Sequence, residues 1–185
     1  KVLTSKGLEG RLQFNIDKMA AHFRETGKNL RPHIKSHKTP AIALKQLEAG
    51  AIGICCAKLG EAEIMADAGI QDILIANEVV GHRKIPRLME LARRCDIMVA
   101  VDDARNIADI ARAAGEAGVK PRILVECNIG HDRSGATTAA QAVELCKLVD
   151  SAVHLRWAGI MGYEGHIVDL EDATERDKGA RECLD

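Results

Sequence analysis

Apolar residues recur at helical spacing over residues 8–26, where Leu8, Leu12, Ile16, Met19, Ala20 and Phe23 fall on one face. Gly27 follows as a C-terminal cap. Residues 30–36, LRPHIKS, read as a short strand. Thr39-Pro40 then opens a helix with proline at its first position, and this helix runs to Gly50. The same strand–helix unit repeats. Strands are predicted over about 52–56, 72–76, 97–101, 122–127 and 155–161. Helices are predicted over about 59–68, 84–94, 103–117, 137–149 and 170–184, the last weakened by Gly179. No linker or low-complexity segment interrupts the alternation.

Alternating strands and helices imply parallel strands joined by crossover helices, an α/β fold. The strands are continuous apolar runs, which fits burial on both faces. An open doubly wound sheet and a (β/α) barrel both satisfy this pattern. A dinucleotide-binding sheet would carry Gly-x-Gly-x-x-Gly after a strand, and the chain has none. Six strands are predicted, whereas a closed barrel has eight and typically about 250 residues. The pattern is that of six units of a barrel whose end is missing.

Composition narrows the classes. The chain has 26 basic and 27 acidic residues, a net charge of −1, which argues against a nucleic-acid partner held by a basic surface. Apolar residues make up 46% and aromatics 2%, so the core is aliphatic. No apolar run approaches the roughly 20 residues of a membrane span, and the first residues lack a signal-peptide core. The six cysteines include no Cys-x-x-Cys pair, so they read as small core residues of a reduced, cytoplasmic protein.

In such folds chemistry collects at the C-terminal ends of the strands. Those ends carry His33, Lys35, His37 and Lys38; Lys58; Asn77 and Glu78; Asp102 and Asp103; Glu126, Asn128, His131, Asp132 and Arg133; and Tyr163, Glu164 and His166. Lys35 lies two residues after His33, so in a strand both side chains share a face. A lysine aimed into a barrel mouth is desolvated and suited to Schiff-base chemistry; a strand-end lysine can equally snorkel to solvent. Tyr163, the one tyrosine, sits between glycines and can stack on a planar ligand or pack on its neighbours. Arg133, in NIGHDRSGA, suits a phenolate or carboxylate, or else a salt bridge to Asp132 or Glu126. Gly130 to Gly135 lacks the Gly-Lys-Ser/Thr ending of a phosphate loop. His33 and His37 with His131 and Asp132 could gather at one mouth as metal ligands. Asp102 and Asp103 read as caps of the next helix, and His22 and His154 as surface or packing residues.

Three stretches in order, residues 30–81 (LRPHIKSHK to NEVVG), VECNIGHDRSGA and GIMGYEGH, strongly resemble the D-threonine aldolase and D-serine dehydratase family. These are pyridoxal-phosphate enzymes on an alanine-racemase-type (β/α)8 barrel. The resemblance runs from about Leu12 to His166. It implies that Lys35 carries the cofactor as a Schiff base, with Lys38 only flanking it. Arg133 would reach the cofactor's phenolic oxygen and Tyr163 would stack on the pyridine ring; His33, His37 and His166 are second-rank candidates. It also implies that 1–185 is the N-terminal part of the barrel, cut to about six units. The last two strands with their phosphate loops, and a C-terminal β domain with a divalent-metal site (Mn, Mg or Zn), would lie beyond Asp185. Residues 1–8 fit the family's opening strand poorly.

The activity implied is cleavage of D-3-hydroxy amino acids to glycine and an aldehyde by a homodimer acting on small D-amino acids, with no nucleic-acid or membrane partner. The alternatives are dehydration of D-serine or D-3-hydroxyaspartate, and a non-catalytic cofactor carrier. The 185-residue piece alone is expected to be inactive and, with two exposed sheet edges, to associate.

Overall fold

The computed structural model describes the backbone of residues 5–184, where helices and strands alternate. Helix α1 (Ser5–Thr26) leads through a single 3₁₀ turn, η1 (Ile34–Ser36), into α2 (Pro40–Glu48). Then come β1 (Ile54–Cys56), α3 (Leu59–Asp67), β2 (Asp72–Glu78), α4 (Ile85–Arg94) and β3 (Asp96–Val101). The chain continues with α5 (Ala104–Ala117), β4 (Arg122–Cys127), α6 (Ala139–Ser151), β5 (Arg156–Gly162) and α7 (Ala173–Glu182). The five strands follow the order β1-β2-β3-β4-β5 in one sheet of an α/β fold. The β1–β2, β3–β4 and β4–β5 pairings are parallel, as crossover helices require.

Five of the six predicted strands are present, and the first is not. Residues 30–36 make one isolated parallel bridge, His33 to Cys55, and then turn into η1. Pro32 has no N–H for a ladder, and the His33 ring offers the Lys35 amide a closer acceptor than a neighbouring strand would. His33 and Lys35 therefore do not share a strand face, and Lys35 is exposed where desolvation was expected. Residues 1–4 and the Leu8 side chain lie outside the described residues; residues 5–8 are helical.

The chain divides into two compact units. The first runs to Ala76 and adds Arg94–Ile97. In it β1 and β2 pair in register, Ile54 with Ile73 and Cys56 with Ile75. Ile34, Ala43, Ile54, Cys56, Ala62 and Ile73 are fully buried. Arg31 ties the segment before η1 to the start of β2. Its Nη1 lies 2.9 Å from Asp72 Oδ1 and its Nη2 donates to Oδ2 at 3.0 Å, a two-pronged pair with the arginine side chain only 14% exposed. Gly53 makes room for it: a Cβ there would lie 2.6 Å from the Asp72 carbonyl oxygen and collide with the guanidinium.

The second unit holds Asn77–Arg93 and the residues from Met98 onward. In it β3 pairs with β4 (Val99 with Ile123, Val101 with Val125) and β4 with β5. A bulge interrupts the second pairing beside Ile123 and Leu124, where Gly159 takes φ +126°. Helix α6 packs on β4 and β5 and against α5. Val99, Ala100, Val101, Ile110, Ile123 and Val125 are fully buried. Strand β5 departs from the expected two-sided burial, with Trp157 38% and Ile160 65% exposed. Among the described residues its one strand neighbour is β4.

None of the six cysteines forms a disulfide. No helix among the described residues is long and apolar enough to cross a membrane.

The Arg31–Asp72 fork yields a stability prediction. Arg31→Ala should lower unfolding stability by about 2 kcal/mol, because it removes the two-pronged guanidinium contact to the half-buried Asp72 carboxylate. Arg31→Lys should recover only part of this, since an ammonium lacks the fork. Urea unfolding followed by far-UV circular dichroism measures both, and an unchanged midpoint for Arg31→Ala would remove the assignment.

Candidate active site

In the first unit the segment from His33 to Lys38 is held by side chains acting on backbone. His33 Nδ1 accepts from the Lys35 amide at 3.1 Å and so caps η1. His37 Nδ1 accepts from the Thr39 amide at 3.1 Å, and the Thr39 hydroxyl donates to the His37 carbonyl at 2.6 Å. Both rings are thereby oriented as acceptors at Nδ1, which a neutral imidazole provides and an imidazolium does not. Burial, and next the nearby Lys35 charge, push the His33 pKa below its ordinary 6.5, which keeps the cap formed at neutral pH.

The two lysines of HIKSHK differ in their surroundings. Lys38 takes φ +47° and places Nζ 3.5 Å from Glu61 Oε1. Glu61 is itself fixed, accepting from the Ala57 amide at 2.8 Å through Oε2. An ammonium engaged by a carboxylate has no lone pair to offer an electrophile. Lys35 is exposed on the turn that His33 caps.

In the second unit the loop after β4 is built around Asn128. Its Oδ1 accepts from the amides of Gly130 and Asp132, each at 3.1 Å, and its Nδ2 donates to Asp132 Oδ1 at 2.8 Å. Asp132 is left-handed, with φ +52°, a conformation Asp tolerates in such turns. The loop rejoins β4 where the Asn128 amide donates to Ala136 O and the Ala136 amide to Glu126 O. Gly135 closes it at φ +102°, its amide donating to Asp102 Oδ2 at 3.0 Å. Asp102 is thus a loop anchor and not the helix cap the sequence suggested, because the following residue takes that place. Asp103 caps α5 by accepting from the Arg105 and Asn106 amides.

This loop presents Arg133. Its Cζ lies 5.1 Å from the centre of the Tyr163 ring, a cation–π distance. Its Nη2 is 3.5 Å from Glu126 Oε1, so the salt bridge considered from sequence is to Glu126. Half of the Arg133 side chain remains exposed. Tyr163 also meets the edge of His131, with centroids 5.4 Å apart, and His131 stacks on His166 at 6.2 Å. His166 Nε2 lies 3.7 Å from Cys183 Sγ.

Glu126 is the residue that strand-end reading underrated. It is 3% exposed within β4 and accepts from the Ser134 hydroxyl at 2.7 Å. Glu78, at the end of β2, brings its carboxyl within hydrogen-bonding reach of it. Burial, then this contact, pushes the Glu78 carboxyl up to about 7, with Glu126 and Asp102 adding negative charge. The available signal was one carboxylate inside RILVEC, an otherwise apolar strand.

Among the described residues no group of three or more His, Cys, Asp or Glu side chains is placed to hold an ion. Nδ1 of His33 and Nδ1 of His37 each accept from a backbone amide, and His37 Nε2 is buried with no hydrogen-bond partner among the described residues.

Comparisons place this geometry among known proteins. Residues 9–183 match the family described as alanine racemase, N-terminal domain. The chain is 41% identical to D-threonine aldolase of Arthrobacter sp. over 154 residues, which is 83% of this chain and 41% of that protein. The crystal structure of D-threonine aldolase from Filomicrobium marinum superposes with a TM-score of 0.91 at 44% identity, covering 93% of this chain and 47% of the other. A mutant D-threo-3-hydroxyaspartate dehydratase, solved in the metal-free form, gives 0.83 at 29%, covering 94% and 46%. The chain therefore spans under half the length of these relatives.

Gly135 provides a test of the loop. A Cβ there would lie 2.5 Å from the Asn128 nitrogen and 2.6 Å from the Cys127 carbonyl carbon, both backbone, on a residue with φ +102°. Gly135→Ala should cost about 3 kcal/mol and loosen residues 128–136. Thermal melting should show the loss, and limited proteolysis should cut after Arg133 faster than in the parent. Equal melting and equal cleavage would contradict the closure described.

Proposed function

We propose that this chain, which belongs to the alanine racemase N-terminal domain family, forms the cofactor-binding part of a pyridoxal-phosphate-dependent lyase that cleaves D-3-hydroxy amino acids to glycine and an aldehyde. The observation that carries this reading is the likeness to a D-threonine aldolase over 93% of the chain at 44% identity. The donor set supports it. An aldehyde cofactor with a phenolic oxygen and a planar ring calls for an amine, a permanent cation and an aromatic face. The chain offers Lys35, Arg133 and Tyr163, each with side-chain surface still reachable or held in a fixed contact.

Lys35 would bind the cofactor through its ε-amine, and the Glu61-engaged Lys38 would not. Arg133 would hold the phenolic oxygen, its guanidinium kept in place by Glu126. Tyr163 would fix the ring plane. His33 orients the Lys35 peptide through its cap, which makes it a positioning residue; His37 does the same for the next turn, and His166 flanks His131. When bound, pyridoxal phosphate supplies an electron sink for the pair left at Cα as the Cα–Cβ bond breaks. The residues named here bind and orient; the proton leaving the 3-hydroxyl needs a base, and a divalent ion on that oxygen would make it more acidic.

We assign that ion, the remaining barrel strands with the phosphate loops, and a C-terminal β domain to the length of such enzymes that this chain does not span. The working form on this reading is a homodimer acting on a small D-amino acid. Six free cysteines fit a reducing, cytoplasmic setting. Dehydration of D-serine or D-3-hydroxyaspartate is the second reading, supported by the match to a D-threo-3-hydroxyaspartate dehydratase at lower identity. A non-catalytic carrier would bind the cofactor and turn over neither substrate.

Borohydride reduction of the full-length protein with pyridoxal phosphate, followed by digestion and mass mapping, should place the phosphopyridoxyl group on Lys35. Lys35→Ala should abolish the label and lower turnover at least ~10³-fold. Label on Lys38, or scattered over surface lysines, would overturn the assignment. With D-threonine the products should be glycine and acetaldehyde; a 2-oxo acid would instead favour the dehydratase.

A further inference from the structure

We infer that Glu78 and Glu126 hold one proton between their carboxyl groups, and that this pair, rather than either glutamate alone, positions Arg133 against Tyr163. The argument starts from two orphaned atoms. Glu126 Oε1 is occupied, accepting from Ser134 and facing Arg133 Nη2. Glu126 Oε2 is buried with no donor, and Glu78 Oε1 is buried with no donor. A buried carboxylate oxygen left unpaired is costly, and these two belong to side chains that reach each other. One proton gives the contact the donor it lacks, and both orphans are explained by it.

Charge balance agrees. Two ionised carboxylates in contact would put two negative charges in a buried site against the single cation of Arg133. With one proton shared, one negative charge faces one positive charge. Asp102 adds negative charge to Glu78, and Cys127, beside Glu126, has its thiol pushed up, first by burial. The site therefore favours a carboxylic acid and a carboxylate, as in other pairs held at contact distance.

The pair also sets how Arg133 is held. Ser134 pins one oxygen of Glu126, and Glu78 pins the other, so Oε1 has a fixed direction from which to meet the guanidinium. When the proton leaves, repulsion opens the pair and that direction is lost. The proton sharing is argued without any cofactor; only the use of Arg133 toward a phenolic oxygen rests on the reading above.

Two measurements on the full-length protein without cofactor test this. Infrared spectra in deuterium oxide between pH 6 and pH 8 should lose one protonated-carboxyl band, and Glu78→Gln and Glu126→Gln should each lack it. The ¹⁵Nε–H signal of Arg133, assigned by its disappearance in Arg133→Lys, should shift with the same midpoint. In Glu78→Gln, whose amide donates to Glu126 at every pH, that shift should vanish while the signal stays near its low-pH position. Absence of the carboxyl band in the parent protein overturns the shared proton. A band that titrates while the Arg133 signal stays fixed, or an Arg133 shift that survives in Glu78→Gln, overturns the positioning role. Neither readout uses turnover, so failure of the lyase reading would leave both results standing. Should Glu78→Gln not fold, the parent's two titrations and their shared or separate midpoints decide.

Discussion

A carboxylate buried in the middle of an apolar sheet constrains the second unit more than any other group. Glu126 is 3% exposed on β4, flanked along the strand by fully buried Val125. A charge there is tolerated only with hydrogen bonds and a counter-charge. The chain supplies them locally: Ser134 and Arg133 come from the loop that follows the same strand, eight and seven residues later. That loop must turn back sharply to deliver them, which explains the Asn128 turn, left-handed Asp132 and the tight approach of Gly135 to Cys127. The cation that meets the Tyr163 ring is thus in place because Glu126 needs a partner.

The first unit solves a related problem with different residues. There the backbone between Pro32 and Pro40 leaves the sheet and its amides need acceptors. Two histidines, a threonine and Glu61 provide bonds to them or close by. The result is a short rigid turn carrying Lys35, in a stretch whose side-chain bonds are mostly to backbone. Lys35 and Arg133 therefore stand on loops fixed by side-chain-to-backbone bonds, directly after a bridge and a strand. Such anchoring restricts a side chain's range before any ligand arrives, which lowers the ordering cost of binding.

Much of this was legible in the sequence. Strand–helix alternation at regular spacing located five strands and seven helices, because two-sided burial leaves an unbroken apolar run and helices leave their own period. The capping role of Asp103 followed from its position before α5, and Gly27 ends α1 at φ +65°. Two features were not legible. The stretch LRPHIKS has strand-like composition, but Pro32 offers no ladder N–H and the His33 ring caps its own backbone two residues on, so the chain turns into a 3₁₀ helix. The Glu78–Glu126 contact joins residues 48 positions apart by number, and periodicity carries no information about which strand ends meet. Arg133 and Tyr163 stood out as residue types, while their contact at 5.1 Å depends on the same unseen pairing.

The contrast between Lys35 and Lys38 shows how far local physics can take a functional assignment. Resemblance alone separates two lysines three residues apart by alignment. The structure adds an independent reason. Lys38 is turned by its left-handed backbone toward Glu61, whose other oxygen is committed to the Ala57 amide. Glu61 cannot swing away without losing that bond, so its carboxylate remains a standing partner for the Lys38 ammonium. At Lys35 the His33 cap secures the peptide, and the residue is exposed. On the reading proposed above, a lysine that meets an aldehyde needs a fixed base, and the His33-capped turn gives Lys35 one.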